Sequence, residues 1–291
     1  MSAHTSVLWL DALVARLGRK FVIGVPMLFL LAVFALPFLV VFKISVSESD
    51  GVRFVDLLTW SEGVLQLKVR FSNYLYILFE DSLYIEAYLS SIKYAALTTA
   101  ICLLIGYPFA YFLARSPAEV RPGLLMLVML PFWTSFLLRV YAWKMLLADN
   151  GVFNNIALAL GLIDAPIKMM HTPFSLTLGM VYTYLPFMVL PLYANLVKMD
   201  FRLLEAAYDL GTTPFKAFWL VTVPLSRSGI IAGFMLVFIP CVGEFVIPSL
   251  LGGPENLMIG RVVWDEMFTA NNWPRATALA VVMIAVIVVP L

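Results

Sequence analysis

Glu205–Leu225 reads EAAYDLGTTPFKAFWLVTVPL and lies between two long apolar runs, Phe174–Leu196 and Gly229–Leu251. Each flanking run exceeds the roughly 20 residues a helix needs to cross a bilayer. The segment therefore reads as a loop joining two membrane spans, and its pattern predicts helix, turn, helix. Asp200 can cap a first helix over Phe201–Leu210. Gly211 follows where a left-handed residue is needed. Thr213 can cap a second helix with Pro214 in its first turn, and Pro224 ends or kinks it. Leu203, Leu204, Ala207, Tyr208 and Leu210 give the first helix an apolar side, and Glu205 and Asp209, four apart, share its polar side. A helix resting on lipid headgroups favours Lys and Arg on its polar face. This one offers carboxylates, and the small pair Ala206–Ala207 suits close approach of another protein.

The rest of the chain fits that setting. Of its 291 residues 62% are hydrophobic and 13% charged, with mean hydropathy +0.95; soluble domains carry roughly 25% charged residues. Apolar runs at 21–42, 88–114, 124–147, 174–196, 229–251 and 276–291 predict an all-α integral membrane protein with six transmembrane helices after a tail, residues 1–20. The first run follows Arg16, Arg19 and Lys20, yet it is too long for a signal h-region and has no A-x-A cleavage site after it, so it reads as an uncleaved span. With the tail inside, segments 1–20, 115–123 and 197–228 carry nine Lys and Arg against five Asp and Glu; segments 43–87, 148–173 and 252–275 carry seven against twelve. The positive-inside rule then gives N-in, C-in and places 197–228 in the cytoplasm. Segment 43–87 contains FVDLLTW and FSNYLYILFEDSLYIEAYL, whose apolar spacing predicts an amphipathic helical surface outside the membrane. A net charge of +1 makes no case for nucleic acid. Cys102 and Cys241 lie in apolar runs, and His4 and His171 lack ligand-spaced neighbours, so no metal site is expected.

Glu205-Ala206-Ala207, Gly211 and then Pro224 thirteen residues on resemble the EAA loop of membrane subunits of bacterial binding-protein-dependent ABC importers. Val221 stands where that family often has Ile, a conservative departure. MLPFWTSFLLRVYAWKMLLADNGVFN (Met129–Asn154) and GEFVIPSLLGGPENLMIGRVVWDEMF (Gly243–Phe268) resemble polyamine permeases, those for putrescine above all, and the likeness runs from about Arg19 to the end. The resemblance implies a type I importer permease fold in the bacterial inner membrane. It implies a transport subunit with no enzymatic activity and no cofactor of its own, ATP and Mg being bound by a partner ATPase. The implied partners are a homologous second permease, two ATPase subunits, a periplasmic polyamine-binding protein and the lipid bilayer. It also assigns coupling to the ATPase to Glu205, Ala206, Ala207, Asp209, Gly211, Pro214 and Pro224.

Charges inside spans are costly and mark function or pairing. Lys93 and Lys144 stand near outer span ends and can snorkel. Arg139 and Glu244 each lie 15 residues from the inner ends of their runs, Leu124 and Gly229, which for straight helices is about 22 Å, in the outer half of the membrane. They are expected to be able to meet as an ion pair. Pro240, Gly243 and Pro248 predict a broken helix around Glu244, a recurring device at transport sites. An aliphatic dication needs anionic or carbonyl oxygens for its ammonium ends and aromatic faces for its methylenes. Candidates are Glu244 with Trp133, Tyr141, Trp143, Tyr182 and Tyr184; packing and interface belts are the bland alternative for the rings. No G-x-x-x-x-G-K-[ST] occurs, so an importer requires a separate ATPase. A secondary transporter or channel would call for inverted repeats or several intramembrane carboxylates, and an intramembrane enzyme for a catalytic set at helical spacing; neither pattern is seen.

Overall fold

The computed structural model describes residues 3–47, 58–61, 64–67 and 70–288. In chain order its helices are α1 (Ala3–Ser45), α2 (Ser72–Leu75), α3 (Ser82–Arg115), α4 (Arg121–Met129), α5 (Phe136–Leu147), α6 (Val152–Ala159) and α7 (Pro173–Leu196). There follow α8 (Arg202–Asp209), α9 (Pro214–Ala217), α10 (Val223–Leu225), α11 (Arg227–Val242), α12 (Val246–Leu251), α13 (Ile259–Trp264) and α14 (Trp273–Val288). The chain divides into two compact units, one built from the part up to Tyr76 together with Glu266 onward, the other from Ile77–Asp265.

In the first unit α1 packs against α14. From Phe21 to Phe42 its apolar side chains are largely uncovered by this chain, Phe21, Leu28 and Leu39 among them. The end of α1 is tied down by α2: Asn73 Nδ2 donates to the carbonyls of Ser45 and Ser47 (3.3 and 3.4 Å), and the Ser45 and Tyr74 hydroxyls share a hydrogen bond of 2.7 Å. Arg275 at the start of α14 stands 4.0 Å from the Tyr76 ring centroid and 3.8 Å from Glu266. One antiparallel hairpin interrupts the helices, β1 (Leu58–Ser61) with β2 (Val64–Leu67), in the register Leu58↔Leu67 to Ser61↔Val64. The amphipathic helix expected in this stretch is therefore corrected in part. Two short runs separated by two residues suit a hairpin, whereas the helical spacing holds only for the part that becomes α2 and the start of α3. Residues 54–57 of FVDLLTW and the last three of the sixth apolar run lie outside the described residues.

The second unit is organised on α3, α7 and α11. Small residues set how closely these helices approach. A Cβ on Gly229 would stand 2.7 Å from Asn195 Cβ, and one on Gly233 2.7 Å from Met188 Sδ, so the Gly229-x-x-x-Gly233 stripe of α11 lies directly on α7. Gly106 of α3 likewise meets Met188 and Val189 of α7. Asp81 starts α3 by accepting a hydrogen bond from Leu83 N (3.0 Å), six residues and more before the apolar run itself begins.

Among the described residues, three helical stretches are long and apolar enough to span a membrane: Lys20–Ser45, Ser82–Arg115 and Pro173–Leu196. Two further spans expected as single helices are bent. Arg121–Trp133 meets Phe136–Ala159 at 85°, and the helix expected over 229–251 ends at Val242, resumes at Val246 and is itself set at 68° to Pro214–Leu225. Prolines 131 and 240 and the Gly243 turn lie at or just before these breaks, where a missing N–H and an unconstrained backbone interrupt the ladder. The straight rise assumed for Arg139 does not hold, because the chain bends by 85° between Trp133 and Phe136 ahead of it, whereas α11 runs unbroken to Val242, two residues before Glu244.

Candidate functional site

The first candidate region is the loop of α8–α10. Its turn closes as the sequence predicts. Gly211 takes φ +81°, Gly211 N donates to Tyr208 O (2.8 Å) and Thr212 N to Ala207 O (3.0 Å), the paired bonds of a Schellman stop. Thr213 and Pro214 open α9. The cap at the other end shifts by one: Phe201 occupies the cap position, and Asp200, just before it, accepts from Arg202 N (3.1 Å) and forks with the Arg202 guanidinium (2.9–3.2 Å). Those bonds hold the exposed Asp200 carboxyl below its ordinary range. Past α9 the chain widens into a π-turn over Phe218–Thr222, and Pro224 precedes the sharp bend into α11.

The apolar side expected of α8 is only partly inward. Leu204 is buried, whereas Leu203, Tyr208 and Leu210 are exposed, Leu210 to 86%. Glu205, Ala206 and Asp209 are exposed and Ala207 is half-buried. The loop thus carries exposed apolar side chains beside exposed carboxylates. Sequence reasoning missed what anchors this loop. Tyr107 and Tyr111 of α3 meet the Phe218 ring edge-on (5.4 and 6.3 Å), Arg115 lies 5.6 Å from both the Tyr111 and Phe201 rings, and Tyr107 shares a hydrogen bond with Ser226 (2.7 Å). One turn-by-turn aromatic stripe on α3 thus grips both ends of the loop; its i, i+4 spacing was visible in the sequence, but its target was not.

The second region surrounds the broken segment after α11. Glu244 sits in the gap before α12. Its Oε1 accepts from Val246 N (3.0 Å) and Ile247 N (3.4 Å), and its Oε2 accepts from the Tyr184 hydroxyl (2.5 Å). The carboxylate is half-buried and has only neutral donors. The expected ion pair with Arg139 is not formed, which corrects that reading. Arg139 instead lies over the rings of Phe132 (5.7 Å) and Phe136 (5.9 Å), because its helix turns away at the Thr134–Ser135 break. Tyr184 meets Phe187 (6.1 Å), and Phe187 meets Phe132 edge-on (5.1 Å). Phe132 and Phe187, neither of them proposed as a site residue from sequence, therefore connect the two charges.

Of the other rings, Trp143 and Tyr182 come together edge-on at 5.4 Å, and Trp143 stacks near Phe153 (6.4 Å). Trp133 is 71% exposed, and Tyr141 is exposed beneath Lys144 (6.0 Å); neither joins the Glu244 group. Lys93 stands 5.8 Å over Tyr94.

The break is held in place by α13. A Cβ on Gly260 would fall 2.4 Å from Gly243 O and 2.6 Å from Glu244 O, and Phe245 stacks on Trp264 at 4.6 Å. Two groups on α3 fix the segment between α12 and α13: the Ser91 hydroxyl accepts from Ile259 N (2.7 Å), and Tyr94 donates to Asn256 Oδ1 (2.5 Å). Gly260→Ala is expected to force this backbone apart, costing about 1–3 kcal/mol and displacing Glu244. Thermal melting of the purified protein together with its uptake activity measures this; an unchanged melting curve with unchanged uptake contradicts it.

The profile of the family described as "Binding-protein-dependent transport system inner membrane component" matches residues 106–291. The chain is 45% identical over 203 residues to the spermidine/putrescine transport system permease protein PotB of Escherichia coli (strain K12), covering 70% of this chain and 74% of that protein. It is 37% identical over 263 residues to the PotB of Haemophilus influenzae, covering 90% and 88%. Among solved structures it resembles a chain of a bacterial ABC transporter involved in the import of the acidic polysaccharide alginate, with TM-score 0.67 at 16% identity over 97% of this chain and 94% of that one. A second alginate transporter structure, in complex with an alginate pentasaccharide-bound periplasmic protein, superposes with TM-score 0.68. At that identity the likeness speaks for the fold.

Proposed function

The chain belongs to the family of inner membrane components of binding-protein-dependent transport systems, and from that premise we propose that it moves putrescine or a related polyamine from the periplasm to the cytoplasm. It is a multi-pass permease subunit of an ABC importer, not an enzyme. In the proposed assembly it pairs with a homologous second permease in the bacterial inner membrane and receives cargo from a periplasmic binding protein. Two ATPase subunits bind ATP and Mg; this chain holds no cofactor. Its termini face the cytoplasm, in keeping with the charge bias of its segments.

The coupling role falls to α8 and the turn after it. Leu203, Tyr208 and Leu210 offer an exposed apolar face, Glu205 and Asp209 rim it, and the aromatic grip of α3 on Phe201 and Phe218 carries a push on the loop into the helix core. An ATPase whose closure moves α8 would in this way move α3 and α11.

The substrate class rests on one observation above the others: Glu244 presents a carboxylate at a helix break, held by neutral donors, with a tyrosine and a run of aromatic rings beside it. An ammonium group finds there an anion and π faces together. The likeness to spermidine/putrescine permeases supports the same cargo. A spermidine-preferring or other small-cation ABC importer is the alternative.

Reconstitution of the complete importer in proteoliposomes tests the reading. Putrescine or spermidine, presented with the binding protein, is expected to stimulate ATP hydrolysis and to accumulate inside, whereas a neutral sugar does neither. Failure of both polyamines to stimulate hydrolysis would remove the polyamine assignment and leave the importer fold intact.

A further inference from the structure

Arg139 is a cation without a counter-charge. Its Nε and Nη1 are buried and have no acceptor, and no carboxylate among the described residues lies within ion-pair distance. A guanidinium with unsatisfied buried N–H groups weighs against the fold, and a neutral side chain of similar length would relieve that burden. The atoms concerned are already covered by this chain, so an acceptor arriving from another subunit would not reach them as they stand.

The surroundings suggest what the charge does. Arg139 lies over Phe132; Phe132 meets Phe187; Phe187 meets Tyr184; Tyr184 donates to Glu244. α12, which Glu244 caps, packs against both α5 and α7. An anion and an unneutralised cation thus stand at the two ends of one run of touching rings. Glu244, Phe187, Phe132 and Arg139 are each partly exposed along it. An ammonium group entering this run is drawn to Glu244 and repelled by Arg139, and the ring face nearest Arg139 already carries a cation.

Resting on the reading of Glu244 as a station for cationic cargo, we propose that Arg139 sets how strongly the membrane pathway holds an aliphatic polyamine: it is a resident cation that occupies the far aromatic seat and keeps the cargo from settling. A conducting site must bind well enough to admit its ion and weakly enough to release it. Glu244 with these three rings alone would make a polyamine trap; the guanidinium turns it into a site of passage.

The test is equilibrium binding of radiolabelled putrescine and spermidine to the purified complex of both permeases and the ATPases, with the periplasmic binding protein left out. Removing a unit charge from the far end of this partly dry run is expected to tighten binding by up to about tenfold. Arg139→Gln and Arg139→Met should therefore both bind more tightly than wild type, and Arg139→Lys, which keeps the charge, should stay close to it. Adding Glu244→Gln to Arg139→Gln should abolish the gain. Uptake by the two neutral variants in the presence of the binding protein should slow as release becomes limiting. Neutral variants that bind no more tightly than wild type overturn the role of Arg139. Failure of both to assemble also overturns it, since the guanidinium would then be a structural group. Because wild-type stimulation by polyamine is measured separately, loss of the Arg139 role leaves the polyamine reading standing.

Discussion

Glu244→Gln is expected to insert and assemble at wild-type yield and to lose uptake of labelled putrescine and spermidine by at least about tenfold, equivalent to ~1.4 kcal/mol. The assembly half of the prediction follows from the bonds the carboxylate makes. Oε1 takes the first free amides of α12 and Oε2 takes the Tyr184 hydroxyl, and a glutamine carbonyl accepts from either the amides or the hydroxyl. What glutamine lacks is the charge that an ammonium group requires. Had Glu244 been one half of a fixed pair with Arg139, the substitution would strand a guanidinium and lower the yield, and Arg139→Gln would restore part of it. Arg139 has no carboxylate partner among the described residues, so the double variant should show no recovery of yield and no recovery of uptake. Complex yield by gel filtration and uptake in proteoliposomes decide the matter. Full uptake by Glu244→Gln at normal yield would take the carboxylate out of the pathway.

Ala207→Asp and Gly211→Val are expected to leave the subunit in the membrane while cutting its retention of the ATPase, or the uptake obtained per ATP hydrolysed, by roughly tenfold, or ~1.4 kcal/mol. Ala207 is half-buried on α8, between the exposed Ala206 and Tyr208, and its carbonyl takes the closing hydrogen bond from Thr212 N. A carboxylate there adds charge and bulk to the face by which α8 is proposed to seat on the ATPase. Gly211 needs φ +81°, which a β-branched residue adopts only under strain. Space is not the obstacle, since nothing lies within 4 Å of a Cβ at that position. The valine would instead unwind the Schellman stop and rotate α8 relative to α9. Both effects are local to an exposed loop, so insertion of α3, α7 and α11 should be spared. Co-purification of the ATPase with the tagged subunit, alongside hydrolysis and uptake rates, measures the outcome. Wild-type ATPase stoichiometry with wild-type transport in both variants would dissociate α8 from coupling.

What was legible in the sequence was local. Apolar run lengths located helices at Phe21–Phe42, Tyr88–Ala114 and Phe174–Leu196, because a chain that buries its backbone in lipid must satisfy every amide within the same segment. The turn after α8 was legible for the same reason: Gly211, Thr213 and Pro214 act on their own backbone dihedrals, and φ +81° at Gly211 is a property of one residue. The break around Glu244 could likewise be read from Pro240, Gly243 and Pro248.

Tertiary structure alone decided where the broken ends point. An apolar run specifies that helix forms, but the 85° turn between Trp133 and Phe136 separates residues that a straight rise places at one depth, and it takes Arg139 to Phe132 rather than to Glu244. Phe132 and Phe187 escaped notice because, in a chain with 22 phenylalanines, nothing in local pattern distinguishes a ring that bridges two charges from one that fills the core. Glu244's partners are Tyr184, sixty residues away, and the amides of its own next turn. Whether a buried charge is paired depends on distances across helices, and those are set by glycine contacts such as Gly233 on Met188 and Gly260 on the Gly243 carbonyl, which exist only once the helices have packed.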